Sequence, residues 1–313
     1  MLFDFLFVVA GLAILVFAGD ALVKGAVNLS LRMGIPAVIV GLTVVAFGTS
    51  APELLVSIKA ALDGVPALAL GNVIGSNTAN ILLVLGVPAL ISTVPVARSL
   101  TRDYGVMIAA SLLFIALAFA TPMVWWHGLI LLAGLGAMLW DNYARMSAHR
   151  DAQSACDEEL EGVEEGISGL RIALYLLAGI IGLPIGANLL VTGASNIAMA
   201  FGVSEAVIGL TLVAVGTSLP ELATTVAAAL RREAGVAMGN VIGSNVFNLL
   251  GIIGITALIR PLPVPPELLN LDLWVMLGSS LLLGIFVFSG RAINRFAGIA
   301  FLGLYAAYMI VLF

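Results

Sequence analysis

The sequence predicts an all-α polytopic membrane protein with ten transmembrane helices, arranged as two inverted five-helix halves. Composition predicts the class: only 10% of the 313 residues are charged, 61% are apolar, and the mean hydropathy is +1.16. Soluble domains carry about 25% charged residues, so this chain has too little polar surface to cover its apolar side chains in water. A long internal repeat predicts the two halves.

Ten stretches are long and apolar enough to cross a bilayer, which takes roughly 20 residues. The short turn Thr121-Pro122 separates the fourth from the fifth, because the apolar stretch around it is too long for one helix. The predicted spans are 2–23, 37–62, 67–91, 104–120, 124–140, 170–200, 205–230, 236–258, 272–289 and 293–312.

The repeat has a constant spacing of 168 residues. Spans four and five map onto spans nine and ten with this spacing, so the halves are 1–140 and 170–313. Three motifs recur without a gap: Gly48-Thr49-Ser50 as Gly216-Thr217-Ser218, Pro52-Glu53 as Pro220-Glu221, and the stretch 71–77 as 239–245.

Basic residues predict the orientation of the halves. Five spans per half is an odd number, so the second half must enter the membrane from the opposite side. Eleven of the 13 lysines and arginines lie in or beside one set of alternate loops, which places those loops in the cytoplasm. Both termini are then outside, and the segment 141–169 is a cytoplasmic linker, acidic and disordered by composition. The expected location is the plasma membrane, here the bacterial inner membrane.

Other classes of protein are disfavoured. A net charge of −5 argues against nucleic-acid binding, and the single Cys156 excludes a disulfide framework or a cysteine-based zinc cluster. The sequence has no HExxH motif and no phosphate-binding loop, so we expect neither an enzyme nor a bound cofactor. The lipid bilayer is the expected surrounding, and no protein partner is indicated.

Two carboxylates lie deep in predicted spans. Glu53 and Glu221 are 168 residues apart, and no lysine or arginine lies at matching depth. A charge at a helix centre costs at least about 2.5 kcal/mol, so each carboxylate is either protonated, paired, or bound to a cation. Because the same residue occurs at both equivalent positions, a cation shared between them is the favoured interpretation.

Neighbouring residues supply further oxygens. Pro52 and Pro220 remove helix hydrogen bonds, which frees carbonyls beside the Thr-Ser hydroxyls. Hard cations such as Ca²⁺ prefer such oxygen shells, and paired broken helices are where transporters hold ions. Ser76 with Asn80, and Ser244 with Asn248, add oxygens on one helical face. Four more amides either line the site or bond across helices: Asn72, Asn77, Asn240 and Asn245.

The motifs GTSxPE and GNxxGSN each occur twice, within 41–86 and 209–254. With them the chain resembles the calcium/cation antiporter superfamily, specifically its bacterial sodium/calcium exchanger-like members. The resemblance implies alternating access, with Ca²⁺ exchanged for Na⁺. It also implies these ion ligands: Thr49, Ser50, Glu53, Ser76, Asn80 and the Ala46 carbonyl, with Thr217, Ser218, Glu221, Ser244, Asn248 and the Ala214 carbonyl in the second half.

The pattern leaves the counter-ion open. Several relatives, including potassium-dependent ones, have Asp where this chain has Asn248, so we expect no K⁺ transport. Proton-coupled relatives typically have GNxxE in place of GTSxPE, which favours Na⁺ but keeps a Ca²⁺/H⁺ antiporter as the alternative. A passive channel is disfavoured by the discontinuous helices. His127 lies near a loop, and we expect its side chain to be solvated. Asp20 lies near the end of the first span, where we expect it to snorkel to the interface rather than to bind an ion.

Overall fold

The computed structural model describes residues 2–153, 167–202 and 214–312, and within these ranges the regular secondary structure is helical apart from two isolated β-bridges. The side chains of 146, 148–153 and 214 are not described. The helices, in chain order, are α1 Leu2–Met33, α2 Ala37–Thr49, α3 Ala51–Leu62, α4 Pro66–Ile91, α5 Arg98–Ala118, α6 Trp125–Gln153, α7 Gly169–Ala200, α8 Ala214–Thr217, α9 Leu219–Leu230, α10 Ala234–Ile259, α11 Leu268–Ser289 and α12 Arg295–Leu312.

Most of the predicted spans are confirmed as helices of sufficient length. Among the described residues, seven helices are long and apolar enough to cross a membrane, and the bent pair α2–α3 makes an eighth. The predicted span 124–140 forms part of α6, but this helix is less apolar than the seven. It begins with Trp125, Trp126 and His127, and polar residues follow from Asp141. The predicted span 205–230 is described only from residue 214.

Two helices extend past their predicted ends. α1 continues to Met33, ten residues beyond the predicted span. α6 continues to Gln153, well into the segment predicted as a linker, because residues 141–153 include helix-forming Ala, Arg, Met and Gln. The six acids between 157 and 165, Cys156 and the repeat residues 209–213 lie outside the described residues.

The equivalent helices α1 and α7 pack against each other in antiparallel fashion. Asn196 Nδ2 near the end of α7 donates to Asp4 Oδ1 near the start of α1 (2.8 Å). Glycines permit the close approach: a Cβ on Gly11 would lie 2.6 Å from Leu190 N, and one on Gly179 would lie 2.5 Å from Leu22 Cβ. These last two contacts are equivalent under the 168-residue spacing.

The centre of the molecule is formed by α4 and α10. Their most apolar 18-residue stretches are 72% and 78% buried, against 33% in α1, 22% in α7 and 17% in α12. Large apolar side chains are exposed on the outer helices, whereas many buried side chains at the centre are polar. This distribution suits a lipid surrounding, in which backbone polar groups must be satisfied internally.

Glycines bring α10 against α2, as the GxxxG spacing predicts. A Cβ on Gly239 would lie 2.6 Å from Val38 O, and one on Gly243 would lie 2.5 Å from Leu42 O. For the equivalent Gly71, no atom of the described residues lies within 4 Å of such a Cβ. The tight contact positions α2, whose last residue is a predicted ligand.

Gly243→Val should therefore destabilise the protein strongly. The three nearest neighbours of the new side chain are the Leu42 carbonyl oxygen, the Leu42 Cα and the Ala46 Cβ. None of these atoms can rotate away, and overpacking of this kind costs about 1–3 kcal/mol or more. Gly303→Val is the matched control, because no atom of the described residues lies within 4 Å of its Cβ. Melting temperatures in detergent should fall for the first variant only, and equal melting temperatures would refute the tight packing.

Several polar residues are paired in ways that the sequence analysis did not anticipate. Asp20 is 37% exposed, as a snorkelling end residue should be, and it forms ion pairs with Lys24 and Arg231. His127, predicted to be solvated, is instead buried: it is 2% exposed, accepts the Val124 N–H at 3.0 Å and stacks on Trp126.

Two further carboxylates are buried away from the centre. Asp103, 4% exposed, accepts a hydrogen bond from Arg145 at 2.5 Å. Asp272, 5% exposed, accepts one from the Tyr308 hydroxyl, also at 2.5 Å. Each has a direct partner, which explains how it is held inside the protein.

Candidate cation site

Each half of the molecule has a helix broken at the serine of its GTS motif. Ser50 (φ −85°, ψ 7°) separates α2 from α3, and the two helices are bent by 45°. Ser218 (φ −87°, ψ 4°) separates α8 from α9 in the same conformation. Pro52 and Pro220 follow at the helix starts, where a proline needs no hydrogen-bond acceptor for its missing N–H.

The two glutamates lie in the first turns of the helices that follow the breaks. Glu53 is in α3 and Glu221 in α9, and both are 0% exposed. Ser50 Oγ, one turn before Glu53, donates to Glu221 Oε1 at 3.0 Å. The structure therefore brings the two motifs together at the breaks, although they are 168 residues apart in sequence.

The central helices supply the remaining predicted side chains. Ser76 and Asn80 on α4 and Ser244 and Asn248 on α10 are at most 3% exposed. Ser244 Oγ lies 3.5 Å from the Thr49 hydroxyl, which connects α10 directly to the end of α2.

All four ambiguous asparagines bond across helices, and two of them, Asn240 and Asn72, do so at the helix breaks. Asn240 Oδ1 accepts from Thr49 at 3.1 Å, and Asn240 Nδ2 donates to Glu221 O at 3.4 Å. Asn72 repeats this arrangement: it accepts from Thr217 and donates to Glu53 O, both at 3.4 Å. Each of these asparagines thus links the threonine of one half to the backbone carbonyl of the glutamate in the other half.

Asn240 and Asn72 each make one further bond. Asn240 Nδ2 donates to Thr225 Oγ1 and Asn72 Nδ2 to Ser57 Oγ, both at 3.2 Å. Thr225 and Ser57 are again equivalent positions. These two hydroxyls were not among the predicted site residues, although in each repeat the hydroxyl lies one helical turn after the glutamate.

Many oxygens of the predicted ligands have no hydrogen-bond partner. Over residues 2–153, 167–202 and 214–312, ten buried side-chain polar atoms are unpaired, and seven of them belong to predicted ligands. A buried polar atom without a partner costs about 1–3 kcal/mol, so this concentration indicates a role. The seven are both carboxylate oxygens of Glu53, Glu221 Oε2, Ser76 Oγ, Ser218 Oγ, Asn80 Oδ1 and Asn248 Oδ1.

These atoms are chemically suited to a cation. Five of the seven are carboxylate or amide oxygens, which accept but do not donate when the carboxylates are ionised, and the other two are serine hydroxyls. Hard cations such as Ca²⁺ take six to eight oxygen ligands. Among the described residues no group of three or more His, Cys, Asp and Glu side chains occurs, so two carboxylates are the charged part of this site.

The two halves of the site differ in their hydrogen bonds. Ser50 bonds to Glu221, whereas Ser218 Oγ and both Glu53 oxygens have no partner in the described part of the chain. The Ala46 carbonyl accepts both the Ser50 N–H and the Thr49 hydroxyl, so it is less free than the broken helix suggested. In α8 the Ser218 N–H instead bonds to Val215 O; Ala214 is helical there.

Comparison with known families gives a match over most of the chain. The family described as sodium/calcium exchanger protein matches residues 3–142 and 171–313. The gap between the two matched ranges coincides with the polar segment that separates the repeats.

Individual relatives match over almost their full length. The sodium/calcium exchanger MaX1 of Methanosarcina acetivorans is 34% identical, with 99% of this chain and 98% of the relative covered. The inner membrane protein YrbG of Escherichia coli is 36% identical over 88% of this chain and 86% of its own. A structure of the sodium-calcium exchanger NCX_Mj, soaked with Na⁺ and Sr²⁺, superposes with a TM-score of 0.81 at 34% identity, covering 99% of this chain and 98% of that one.

Proposed function

The chain belongs to the sodium/calcium exchanger family, and we propose that it exchanges Ca²⁺ for Na⁺ by alternating access at the cation site described above. One observation carries the proposal: seven buried oxygens without hydrogen-bond partners come from the residues of the two repeated motifs. In a protein that crosses a membrane, such atoms are costly unless a ligand satisfies them. A cation satisfies all of them together.

We propose that the binding set is the one predicted from the sequence. Glu53 and Glu221 neutralise the ion, and serine, threonine and asparagine oxygens complete its shell. The hydroxyls of Thr49 and Thr217 donate to asparagines, and a hydroxyl oxygen that donates its proton can still bind a cation through a lone pair.

The halves are proposed to be inverted relative to each other, giving ten spans. The antiparallel packing of α1 on α7 supports this, because these helices are equivalent in the repeat. The exchanged pairs Thr49–Asn240 and Thr217–Asn72 support it as well. A pseudo-twofold axis that relates the two halves and reverses the direction of their helices lies in the plane of the membrane. Many alternating-access transporters have this arrangement.

The proposed orientation has both termini outside and 141–169 in the cytoplasm. It rests on the distribution of lysine and arginine, and the relative YrbG is named as an inner membrane protein. Cysteine labelling at position 2 and position 147 with an impermeant reagent on intact cells tests it: only the first should react.

Flux measurements test the exchange itself. Proteoliposomes loaded with Na⁺ and diluted into Na⁺-free medium should accumulate ⁴⁵Ca²⁺, whereas a pH gradient alone should drive no uptake. Uptake that follows the pH gradient and ignores Na⁺ would establish Ca²⁺/H⁺ exchange instead. Uptake that needs no gradient of a counter-ion would indicate a channel.

Exchange should be indifferent to K⁺, because Ca²⁺ alone balances the two carboxylates. Asn248→Asp adds a third carboxylate to a site whose amide oxygen at this position is already unpaired. A monovalent cation bound with Ca²⁺ would then balance the charge, so we expect K⁺ to raise the exchange rate of this variant. Flux with and without K⁺ checks this, with choline as the replacement; identical behaviour of the two proteins would show that position 248 does not contact the ions.

A further inference from the structure

The amides of Asn77 and Asn245 lie next to the proposed ligands Asn80 and Asn248. Both are 1% exposed, and both bond to groups of the opposite half of the chain. Asn77 Nδ2 donates to the backbone carbonyl of Asn245 at 3.1 Å. Asn248 Nδ2 then donates to Asn77 Oδ1 at 3.0 Å.

This chain of bonds fixes which end of each amide faces which neighbour. The Asn245 carbonyl accepts only, so Asn77 must present its NH₂ group there and its oxygen to Asn248. Asn248 must in turn present its own NH₂ group to Asn77. The Asn248 oxygen therefore points away from Asn77, and it is buried without a hydrogen-bond partner among the described residues.

The second half of the network works in the same way with a weaker anchor. Asn80 Nδ2 donates to Asn245 Oδ1 at 3.1 Å, and Asn80 Oδ1 is again unpaired in the described chain. Here Asn245 Nδ2 is held by Met107 Sδ at 3.6 Å, and a thioether sulfur is a weak acceptor. Asn248 is therefore oriented more firmly than Asn80.

We propose that Asn77 and Asn245 are positioning residues that keep the amide oxygens, rather than the NH₂ groups, of Asn248 and Asn80 turned toward the transported cation. A cation binds the oxygen of an amide and is repelled by its NH₂ group. Without the anchor, the two orientations of the ligand amide differ little in energy, and the wrong one excludes the ion. This inference rests on the proposed cation site.

A double-mutant cycle separates orientation from simple structural support. Asn77→Ala should raise the Ca²⁺ concentration for half-maximal exchange about five- to tenfold, the effect of losing one buried hydrogen bond, with little change in the maximal rate. In the Asn248→Asp background the same substitution should cause no loss of Ca²⁺ affinity, since both oxygens of a carboxylate accept, its rotation has no consequence, and it has no N–H to donate to the Asn77 oxygen.

Thr78→Val is the matched control. Thr78 is fully buried beside Asn77, but over the part of the chain that the structure describes its hydroxyl bonds only within its own helix, to Ile74 O at 3.1 Å. It should leave the half-maximal Ca²⁺ concentration unchanged in both backgrounds. A second cycle, Asn245→Ala with Asn80→Asp, gives an independent test if Asn77→Ala does not fold, and a smaller effect is expected because the anchor is weaker.

The outcomes are distinguishable. A loss of Ca²⁺ affinity that is rescued by the carboxylate supports positioning. An equal loss in both backgrounds, or no loss in either, overturns the inference while leaving the exchange activity in place. Absence of Ca²⁺-dependent exchange in the wild-type protein overturns the proposed function itself.

Discussion

Glu53→Gln and Glu221→Gln should each abolish Ca²⁺ transport, with the flux reduced at least about 100-fold, since losing a charged ligand costs roughly 3 kcal/mol or more. Each substitution removes one of the two carboxylates of the site, both fully buried. The remaining single charge cannot balance a divalent ion in a region of low dielectric constant. Initial rates of ⁴⁵Ca²⁺ uptake by proteoliposomes measure the effect.

The same variants should be more stable than the wild type when no cation is bound. Two neighbouring buried carboxylates repel each other and are costly to desolvate. A single substitution to glutamine removes the repulsion and the desolvation cost of one carboxylate. The melting temperature in chelator and choline should rise by a few degrees, and its increase on adding Ca²⁺ should disappear.

Glu233→Gln is the matched control for both measurements. Glu233 lies between α9 and α10, partly exposed and outside the cation site, so its variant should transport and melt like the wild type. Wild-type flux in Glu53→Gln or Glu221→Gln would remove that carboxylate from the mechanism.

Ca²⁺ should not leave loaded liposomes when the other side contains no Na⁺ and no Ca²⁺. After releasing its ion, the protein would have to pass through an occluded state with both Glu53 and Glu221 uncompensated. A penalty of about 3 kcal/mol for a buried charge slows that step roughly 100-fold. One Ca²⁺ or two Na⁺ would neutralise the pair and permit the transition.

Self-exchange provides the contrast for this prediction. With unlabelled Ca²⁺ outside and no Na⁺, ⁴⁵Ca²⁺ efflux should be fast, because every transition then occurs with the carboxylates neutralised. Efflux into ion-free choline at a comparable rate would contradict the electrostatic origin of the coupling.

The paired elements of the fold follow from the repeat. A spacing of 168 residues relates the two helix breaks, the two glutamates and the two central helices, and the structure places these elements together. Periodicity and proline position are local properties of the chain, which is why helix breaks beside Pro52 and Pro220 could be predicted; the structure places them at Ser50 and Ser218.

Partners distant in sequence could not be predicted. Nothing local to Asp272 indicates that the Tyr308 hydroxyl, 36 residues further along the chain, reaches it. The difference between Ser50, which bonds to Glu221, and Ser218, which does not bond to Glu53, is likewise invisible to a repeat that treats the halves alike. Such asymmetry arises from how the halves pack on each other.

Anomalous diffraction from crystals grown with Ca²⁺ in the absence of Na⁺ tests the cation site most directly. We expect a Ca²⁺ peak at about 2.3–2.6 Å from carboxylate oxygens of both Glu53 and Glu221, with further ligands from the unpaired serine and asparagine oxygens. A Ca²⁺ peak that contacts neither glutamate, in crystals of protein that exchanges Ca²⁺, would contradict it.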